Sequence, residues 1–214
     1  GLQSLRSNTT ASNNTAVGYQ ALYSNQTGSR LVAIGYSALY SNTGSYSVAI
    51  GNAALTNNTT GSNVAIGDSV MSYNTTGSRN VAIGTFDGGT LPAMYYNTTG
   101  AYNVAISIGA LKSNTTGSYN IAIGDSALAS NTTASQNTAV GYQAGYSNTT
   151  GIDLTAVGYQ AAYSNTGDYN TAIGRGAGYS TTSGSCNTSL GRTALSSNTT
   201  GSYNTAIGMY SLLS

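Results

Sequence analysis

Few side chains of this chain could do chemistry, and their spacing does not bring them together as a catalytic site. Histidine and glutamate are absent, and the acids are five aspartates: Asp68, Asp87, Asp125, Asp153 and Asp168. General acid–base catalysis needs titratable groups that are positioned as partners. Asp68 and Asp125 occupy equivalent positions of an internal repeat several repeats apart, and Asp153 and Asp168 could approach but have no base or nucleophile beside them. We therefore expect no enzyme activity.

The chain also lacks the residues that a metal site or a phosphate-binding loop would need. Cys186 is the only cysteine, so an internal disulfide is impossible and a zinc site has no ligand set. We interpret Cys186 as a small, half-buried residue. Gly88-Gly89 has no Lys-Ser or Lys-Thr after it and is not a phosphate loop. Asp87 would hold calcium only weakly, because it supplies a single carboxylate, and we expect neither a metal nor a cofactor.

Composition excludes further classes of partner. Only 5% of the 214 residues are charged and the net charge is +1, so nothing attracts nucleic acid electrostatically. No apolar run approaches the ~18 residues of a membrane-spanning helix, so we expect no membrane insertion, and no signal-peptide pattern is recognisable. The chain begins and ends inside a repeat, so we expect it to be a fragment of a longer chain.

An internal repeat runs through the whole chain. Its anchor is the glycine that follows Ala-Val, Ala-Ile or Ser-Leu, which Ser107 replaces once. The spacing is 16 or 17 residues, except for 23 between Gly84 and Ser107. A disordered low-complexity chain would not hold Ile and Leu in register over this length, so we expect an ordered fold. The glycine anchors are Gly18, Gly35, Gly51, Gly67, Gly84, Gly124, Gly141, Gly158, Gly174, Gly191 and Gly208.

The residues before each anchor alternate in type, which predicts a strand. Val32 and Ile34 stand three and one before their glycine, with Ala33 between them. A period of two places the β-branched residues on one face and alanine on the other, where alanine indicates a close neighbour. After a two-residue turn, segments such as 38–41 and 127–130 predict a second short strand.

The sequence Asn-Thr-Thr-Gly follows the second segment and predicts the other corner of the coil. Asparagine and glycine suit a corner because both tolerate left-handed backbone angles. Asn-x-Thr triplets such as Asn114-Thr115-Thr116 could also be glycan acceptors in a secreted eukaryotic protein, but we interpret them as corners.

Stacking such units at ~4.8 Å builds a ladder of strands and a continuous apolar column. The predicted fold is all-β. Residues 1–214 form a single parallel β-solenoid, or β-roll, of about twelve coils of 16–17 residues with two short strands in each. Stacking also predicts a ladder of asparagines and columns of tyrosines. The structural core of the repeat is predicted to contain the residue before each anchor: Ile34, Ile50, Ile66, Ile83, Ile106, Ile123, Val140, Val157, Ile173 and Ile207.

A thin rod with about 17 residues per coil encloses little core, so its remaining apolar faces need cover. We therefore expect chains to associate side by side, and a closed cyclic assembly is the usual solution.

The repeat resembles those of known fibrous surface proteins. The units Val48-Ala49-Ile50-Gly51 and Asn137-Thr138-Ala139-Val140-Gly141-Tyr142-Gln143-Ala144 look like the head repeats of trimeric autotransporter adhesins. They resemble still more closely the Asn-Thr-Ala-[Val/Ile]-Gly-Tyr-Gln-Ala-Leu arrays of phage tail-fibre-like proteins. The resemblance covers nearly the whole chain. It implies a left-handed parallel roll, a homotrimer packed around an axis, and a place outside the cell, on a virion or cell surface.

One coil carries an insertion, which we interpret as a candidate contact loop for a receptor glycan or a neighbouring fibre protein. Insertions in solenoids protrude and are often on the binding face, although a tolerated surface loop or a plug over adjacent apolar surface is the plainer alternative. The insertion, 85–92, holds the only Phe and the only Pro: Thr85, Phe86, Asp87, Gly88, Gly89, Thr90, Leu91 and Pro92.

Three functions compete. The first is a structural shaft or receptor-binding segment of a trimeric extracellular or virion fibre, such as a tail fibre, that mediates attachment to a host or surface. The alternative is a bacterial surface adhesin head that binds glycans through its tyrosine rows. An ice-binding solenoid is less favoured, because its threonine columns, which include Thr116 and Thr133, stand at corners beside glycine and not on a flat strand.

Overall fold

The computed structural model describes residues 1–213, which form one twelve-stranded parallel sheet wound as a solenoid. The strands pair in chain order and in register, so that Thr15 lies opposite Val32 and Ala16 opposite Ala33. The predicted all-β solenoid is confirmed, while its left-handed winding and its trimeric assembly stay predictions. The strands are β1 (Thr15–Val17), β2 (Val32–Ile34), β3 (Val48–Ile50), β4 (Val64–Ile66), β5 (Val81–Ile83), β6 (Val104–Ile106), β7 (Ile121–Ile123), β8 (Thr138–Val140), β9 (Thr155–Val157), β10 (Thr171–Ile173), β11 (Thr188–Leu190) and β12 (Thr205–Ile207).

Each coil contains one strand, and the prediction of a second was wrong. The segments 38–41 and 127–130 are turns. Leu39 and Leu128 have φ angles of 51° and 49°, which lie in the left-handed region and not in the extended region of a strand. The Leu39 N–H still donates to Ala54 O of the next coil at 3.0 Å. These left-handed residues bend the backbone, which allows the coil to close within 16 or 17 residues.

The two faces of the strand are the reverse of the predicted ones. Ala33 is completely buried inside the coil, whereas Ile34 faces outward and is 38% exposed. The cause is the narrow interior: a Cβ atom added to Gly178, in the leucine column, would lie 3.5 Å from the Ala172 Cβ of its own coil. Only a small side chain fits opposite that column: alanine in eleven strands and Ser189 in the strand Thr188–Leu190. The residues predicted as core are therefore all half-buried or exposed on the outer face: Ile34, Ile50, Ile66, Ile83, Ile106, Ile123, Val140, Val157, Ile173 and Ile207.

The actual apolar core combines the strand alanines with one column of larger side chains. That column follows the anchor by four residues and holds leucine or methionine in most coils. Burying a leucine side chain in each coil contributes roughly 1.5–3 kcal/mol per residue before entropy is counted. Its largest completely buried members are Leu22, Leu39, Leu55, Met71, Met94, Leu111 and Leu128.

The predicted asparagine ladder is confirmed inside the solenoid. Asn97 Nδ2 donates to Asn74 Oδ1 at 2.7 Å, and Asn114 Nδ2 donates to Asn97 Oδ1 at 2.7 Å. The same Asn114 Nδ2 donates to Gly117 O at 3.0 Å across its own corner. These amides are completely buried, so each bond satisfies a group that would otherwise destabilise the core.

A second buried asparagine column precedes the strands and was not predicted. Asn80 Oδ1 accepts the Asn103 N–H at 2.9 Å, and Asn103 Oδ1 accepts the Asn120 N–H at 2.9 Å. Asn120 Nδ2 donates to Ala134 O at 2.9 Å. This column thus ties the backbone of one coil to the side chain of its neighbour just before each strand begins.

The corner needs glycine because the neighbouring coil approaches it closely, and not because its backbone is left-handed, as was predicted. Gly117 is not among the residues with positive φ, but a Cβ atom there would lie 2.3 Å from Ala134 O. The anchor glycine is constrained in both ways: Gly124 has a φ of 128°, and its Cβ would lie 2.6 Å from Gly141 O. Coils therefore stack backbone against backbone at both positions.

Candidate functional site

The outward strand residues form one continuous apolar surface. We call it the outer stripe and define it as the first and third residues of β1 to β12. All are Val, Ile, Leu or Thr, and none is charged. Because the strands pair in register, equivalent side chains stand one above another, with Ile123 37% exposed and Leu190 43% exposed. Contiguous apolar surfaces of more than a few hundred Å² mark interaction sites on soluble proteins.

The predicted tyrosine columns are present as stacked rings. Tyr146, Tyr163 and Tyr179 stack with centroids 5.1 Å apart and ring planes within 8° of parallel. Partial burial in this stack raises the pKa of the Tyr163 phenol. Tyr102 and Tyr119 stack in the second predicted column at 4.8 Å. These rows give the rod long aromatic edges.

A third tyrosine column, which was not predicted, follows the anchor glycine directly. Tyr19 stacks on Tyr36, and Tyr142 stacks on Tyr159, both with centroids 5.2 Å apart.

The inserted loop is exposed over most of its length, and Asp87 closes a turn within it. Phe86 is 46% exposed, and the residues from Thr85 to Gly89 are all exposed. Asp87 Oδ1 accepts the N–H groups of Thr90 at 2.7 Å and Gly89 at 2.9 Å, and these bonds lower the pKa of its carboxyl group.

The end of the insertion packs back on the coils that follow it. Leu91 O accepts the Gly109 N–H at 3.0 Å, and Pro92 is buried. The loop is therefore bound to the solenoid at its C-terminal end, while the Phe86 ring stays exposed.

The aspartates do not come together. Ser69 Oγ donates to Asp68 and Ser126 Oγ donates to Asp125, each at 2.7 Å within its own turn. Asp168 Oδ1 accepts the Ile152 N–H at 2.9 Å, so it supports a corner. Among residues 1–213, no three His, Cys, Asp or Glu side chains cluster as a metal site would require. Cys186 is a half-buried free thiol, as predicted.

A surface groove lies on the turn side of the coils near the C-terminal end of the solenoid. We call it the arginine groove. It has a volume of about 410 Å³, and Arg175 and Arg192 line it together with Tyr159, Tyr179 and Gln160. The two arginines are exposed and occupy the position directly after the anchor in adjacent coils. The groove was not predicted, although the repeated Gly-Arg pair at Gly174 and Gly191 is a visible sequence signal.

Comparison of the chain with protein-family models, with curated proteins and with solved structures gives no match. The described part of the chain, 1–213, contains no helix that is long and apolar enough to cross a membrane.

Proposed function

We propose that this chain is a structural, non-catalytic segment of a trimeric fibre on a virion or cell surface, where it contributes to attachment. The observation that carries the proposal is the outer stripe. A monomeric rod that exposes β-branched side chains along all twelve strands leaves apolar surface in water over its whole length. Association of identical chains along this stripe removes that surface from water, and a closed ring of chains leaves no stripe unpaired.

The low charge of the chain supports the same role. With 5% charged residues, the rod has little charge to oppose close packing of identical chains. Backbone hydrogen bonds run from coil to coil, and the asparagine ladders satisfy most of the polar interior, so the fold of one coil depends on its neighbours in the array. A long, repetitive and rigid body of this kind suits a shaft.

Light scattering coupled to size-exclusion chromatography tests the proposal. The 214-residue chain should elute with the mass of three copies and should resist dissociation by detergent at room temperature. The double variant Ile34→Asp, Ile123→Asp places two charges on the outer stripe and should shift the mass toward one copy, because burying an unpaired carboxylate is costly.

The matched control is the double variant Thr116→Asp, Thr133→Asp, which adds the same charge at exposed corners away from the stripe. It should stay trimeric. A wild-type chain that runs as a monomer contradicts the proposal, and so does a control that dissociates as fully as the stripe variant.

A further inference from the structure

The arginine groove differs from the rest of the solenoid surface in how its arginines are used. Elsewhere the guanidinium of an arginine is hydrogen-bonded to a tyrosine of the next coil: Arg6 donates to the Tyr23 hydroxyl oxygen at 3.0 Å, and Arg79 donates to that of Tyr102. Among residues 1–213, no hydrogen bond involves the guanidinium of Arg175 or Arg192. Like the other arginines, each lies over a tyrosine ring, Arg175 over Tyr159 and Arg192 over Tyr210, both at 5.6 Å from the centroid, but neither donates to a tyrosine hydroxyl oxygen.

The N–H donors of these two guanidinium groups are therefore free for a ligand. Five such donors lie in the plane of each guanidinium. Planar carboxylates are bound by such in-plane donors, often through two parallel bonds. The two arginines occupy the same position of the repeat in adjacent coils, which are spaced by about 5 Å. Both can therefore bind the same anionic group.

Among residues 1–213, no aspartate is bonded to either arginine. Asp125 shares their column but stands three coils before Arg175, about 14 Å away at the spacing of the sheet. Asp168, the acid nearest to Arg175 in sequence, accepts the Ile152 N–H at the corner before β10. The groove therefore combines two adjacent positive charges without a counter-charge, an arrangement that favours an anion from outside the chain.

The shape and lining of the groove indicate what carries that anion. A volume of about 410 Å³ suits a ligand of one or two rings. Tyr179 supplies aromatic surface, while Gln160 and the hydroxyl groups of Ser180 and Thr193 supply polar atoms. The two faces of the Tyr159 ring are already covered by Tyr142 and Arg175. Aromatic faces with surrounding amide and hydroxyl groups fit a sugar ring, which is apolar on its C–H face and polar at its edges.

The groove exists because glycine replaces larger residues in one coil. The position two after the anchor holds Gln143 and Gln160 in the two preceding coils, where their side chains pair at 2.8 Å, but it holds Gly176 in the coil of Arg175. Gly176 has a φ of 63°, close to the 52° of Gln160, so a glutamine would be accepted there by the backbone. The absence of that side chain opens the space between the two arginines and Tyr179.

We propose that the arginine groove binds a sugar that bears a carboxylate, with Arg175 and Arg192 holding the carboxylate and Tyr179 contacting the ring. The inference rests on the proposed attachment role, since it names the class of surface that the fibre would recognise: an acidic polysaccharide.

Calorimetric titration of the 214-residue chain with trigalacturonate tests the inference, with maltotriose as the neutral sugar and sodium sulfate as the simple anion. Trigalacturonate should bind, and maltotriose and sulfate should bind at least about tenfold more weakly. Arg175→Gln and Arg192→Gln should each weaken binding by about tenfold or more, because each removes charge-assisted bonds. Gly176→Gln should also weaken binding by filling the groove.

Arg79→Gln is the matched control, because it removes the same charge at a tyrosine-paired arginine outside the groove. It should change affinity by less than about twofold. No binding of trigalacturonate, equal binding of maltotriose or sulfate, or an equal loss in Arg79→Gln overturns the inference. Light scattering on the same samples separates the two proposals: a trimer that does not bind contradicts only the groove, whereas a monomer contradicts the trimeric fibre.

Discussion

The side chain of Leu154 fills the space that Gly145 leaves in the leucine column. A Cβ atom on Gly145 would lie 3.1 Å from Leu154 Cδ2 and 3.0 Å from Leu128 Cδ2. Both residues depart from the repeat between the anchors Gly141 and Gly158. Gly145 stands where most coils have leucine, and Leu154 stands where most coils have a buried asparagine. One exchange of volume therefore compensates the other.

The exchange interrupts the polar ladder at this coil. Asn131 Oδ1 and Asn137 Nδ2 are buried without a hydrogen-bond partner, immediately before the coil that contains Leu154. Asn148 turns inward on its own corner, where its Oδ1 accepts the Gly151 N–H at 2.9 Å and its Nδ2 donates to Gly151 O. The apolar gain of Leu154 is thus partly offset by two unsatisfied polar atoms.

Restoring the consensus at these two positions should show strong coupling. Gly145→Leu alone should destabilise the fold by about 1–3 kcal/mol through overpacking, and Leu154→Asn alone by about 2–4 kcal/mol through the cavity that it leaves. The backbone accepts leucine at this position, since Gly145 has a φ of 61° and Leu128 one of 49°. The double variant should recover most of the loss, measured as the midpoint of thermal unfolding. Additive losses would contradict the compensation.

Ser107 carries the strain of the one anchor that is not glycine. Its φ is 107°, a region that side chains rarely adopt, and its hydroxyl makes no hydrogen bond within residues 1–213. Ser107→Gly should therefore stabilise the chain by about 1 kcal/mol, seen as a higher thermal midpoint. Ser113→Gly, at a residue without positive φ in the same coil, is the control and should lower stability by about 0.5–1 kcal/mol. Equal effects of the two substitutions would show that Ser107 is not strained.

The Asp87 carboxylate should make the turn within the inserted loop sensitive to acid. The N–H groups of Thr90 and Gly89 lower the pKa of Asp87 because they bond to its charged form. The bonds are therefore intact above the ordinary aspartate pKa of about 3.9, and they are lost as the pH falls through the lower value of the folded loop. NMR titration should give an Asp87 pKa below the ordinary value, with the Thr90 and Gly89 amide shifts following it. In Asp87→Asn, those amide shifts should no longer change over this range; a normal Asp87 pKa would disprove the anchoring.

The repeat spacing was sufficient to predict the solenoid and its register. Gly18 and Gly35 are 17 residues apart, and the strands before them pair residue for residue, because an in-register parallel ladder requires equal chain length per coil. The asparagine ladder and the stacked tyrosines followed from the same spacing. The second asparagine column follows from the same spacing but was not predicted, because Leu31 and Leu154 interrupt it.

The repeat spacing could not predict which face of each strand points inward or which path each turn follows. Alternation of Ala33 with Ile34 separates two faces, but it does not say which of them is enclosed, and the larger side chain is the usual choice for a core. Leu39 gives no local signal for its left-handed φ, because leucine seldom adopts it outside a context that imposes it. The groove likewise depends on Gly176, whose effect appears only when Arg175, Arg192 and Tyr179 are placed around it.

By itself the sequence determined a parallel solenoid of twelve in-register strands and an insertion between Gly84 and Ala93. The tertiary structure decided that alanine lies inside, that the β-branched residues form the outer stripe, and that two arginines share one groove. The physical reason is that periodicity reports which residues are equivalent, whereas the width of the coil interior, set by the left-handed turns and the leucine column, decides which of them fit inside.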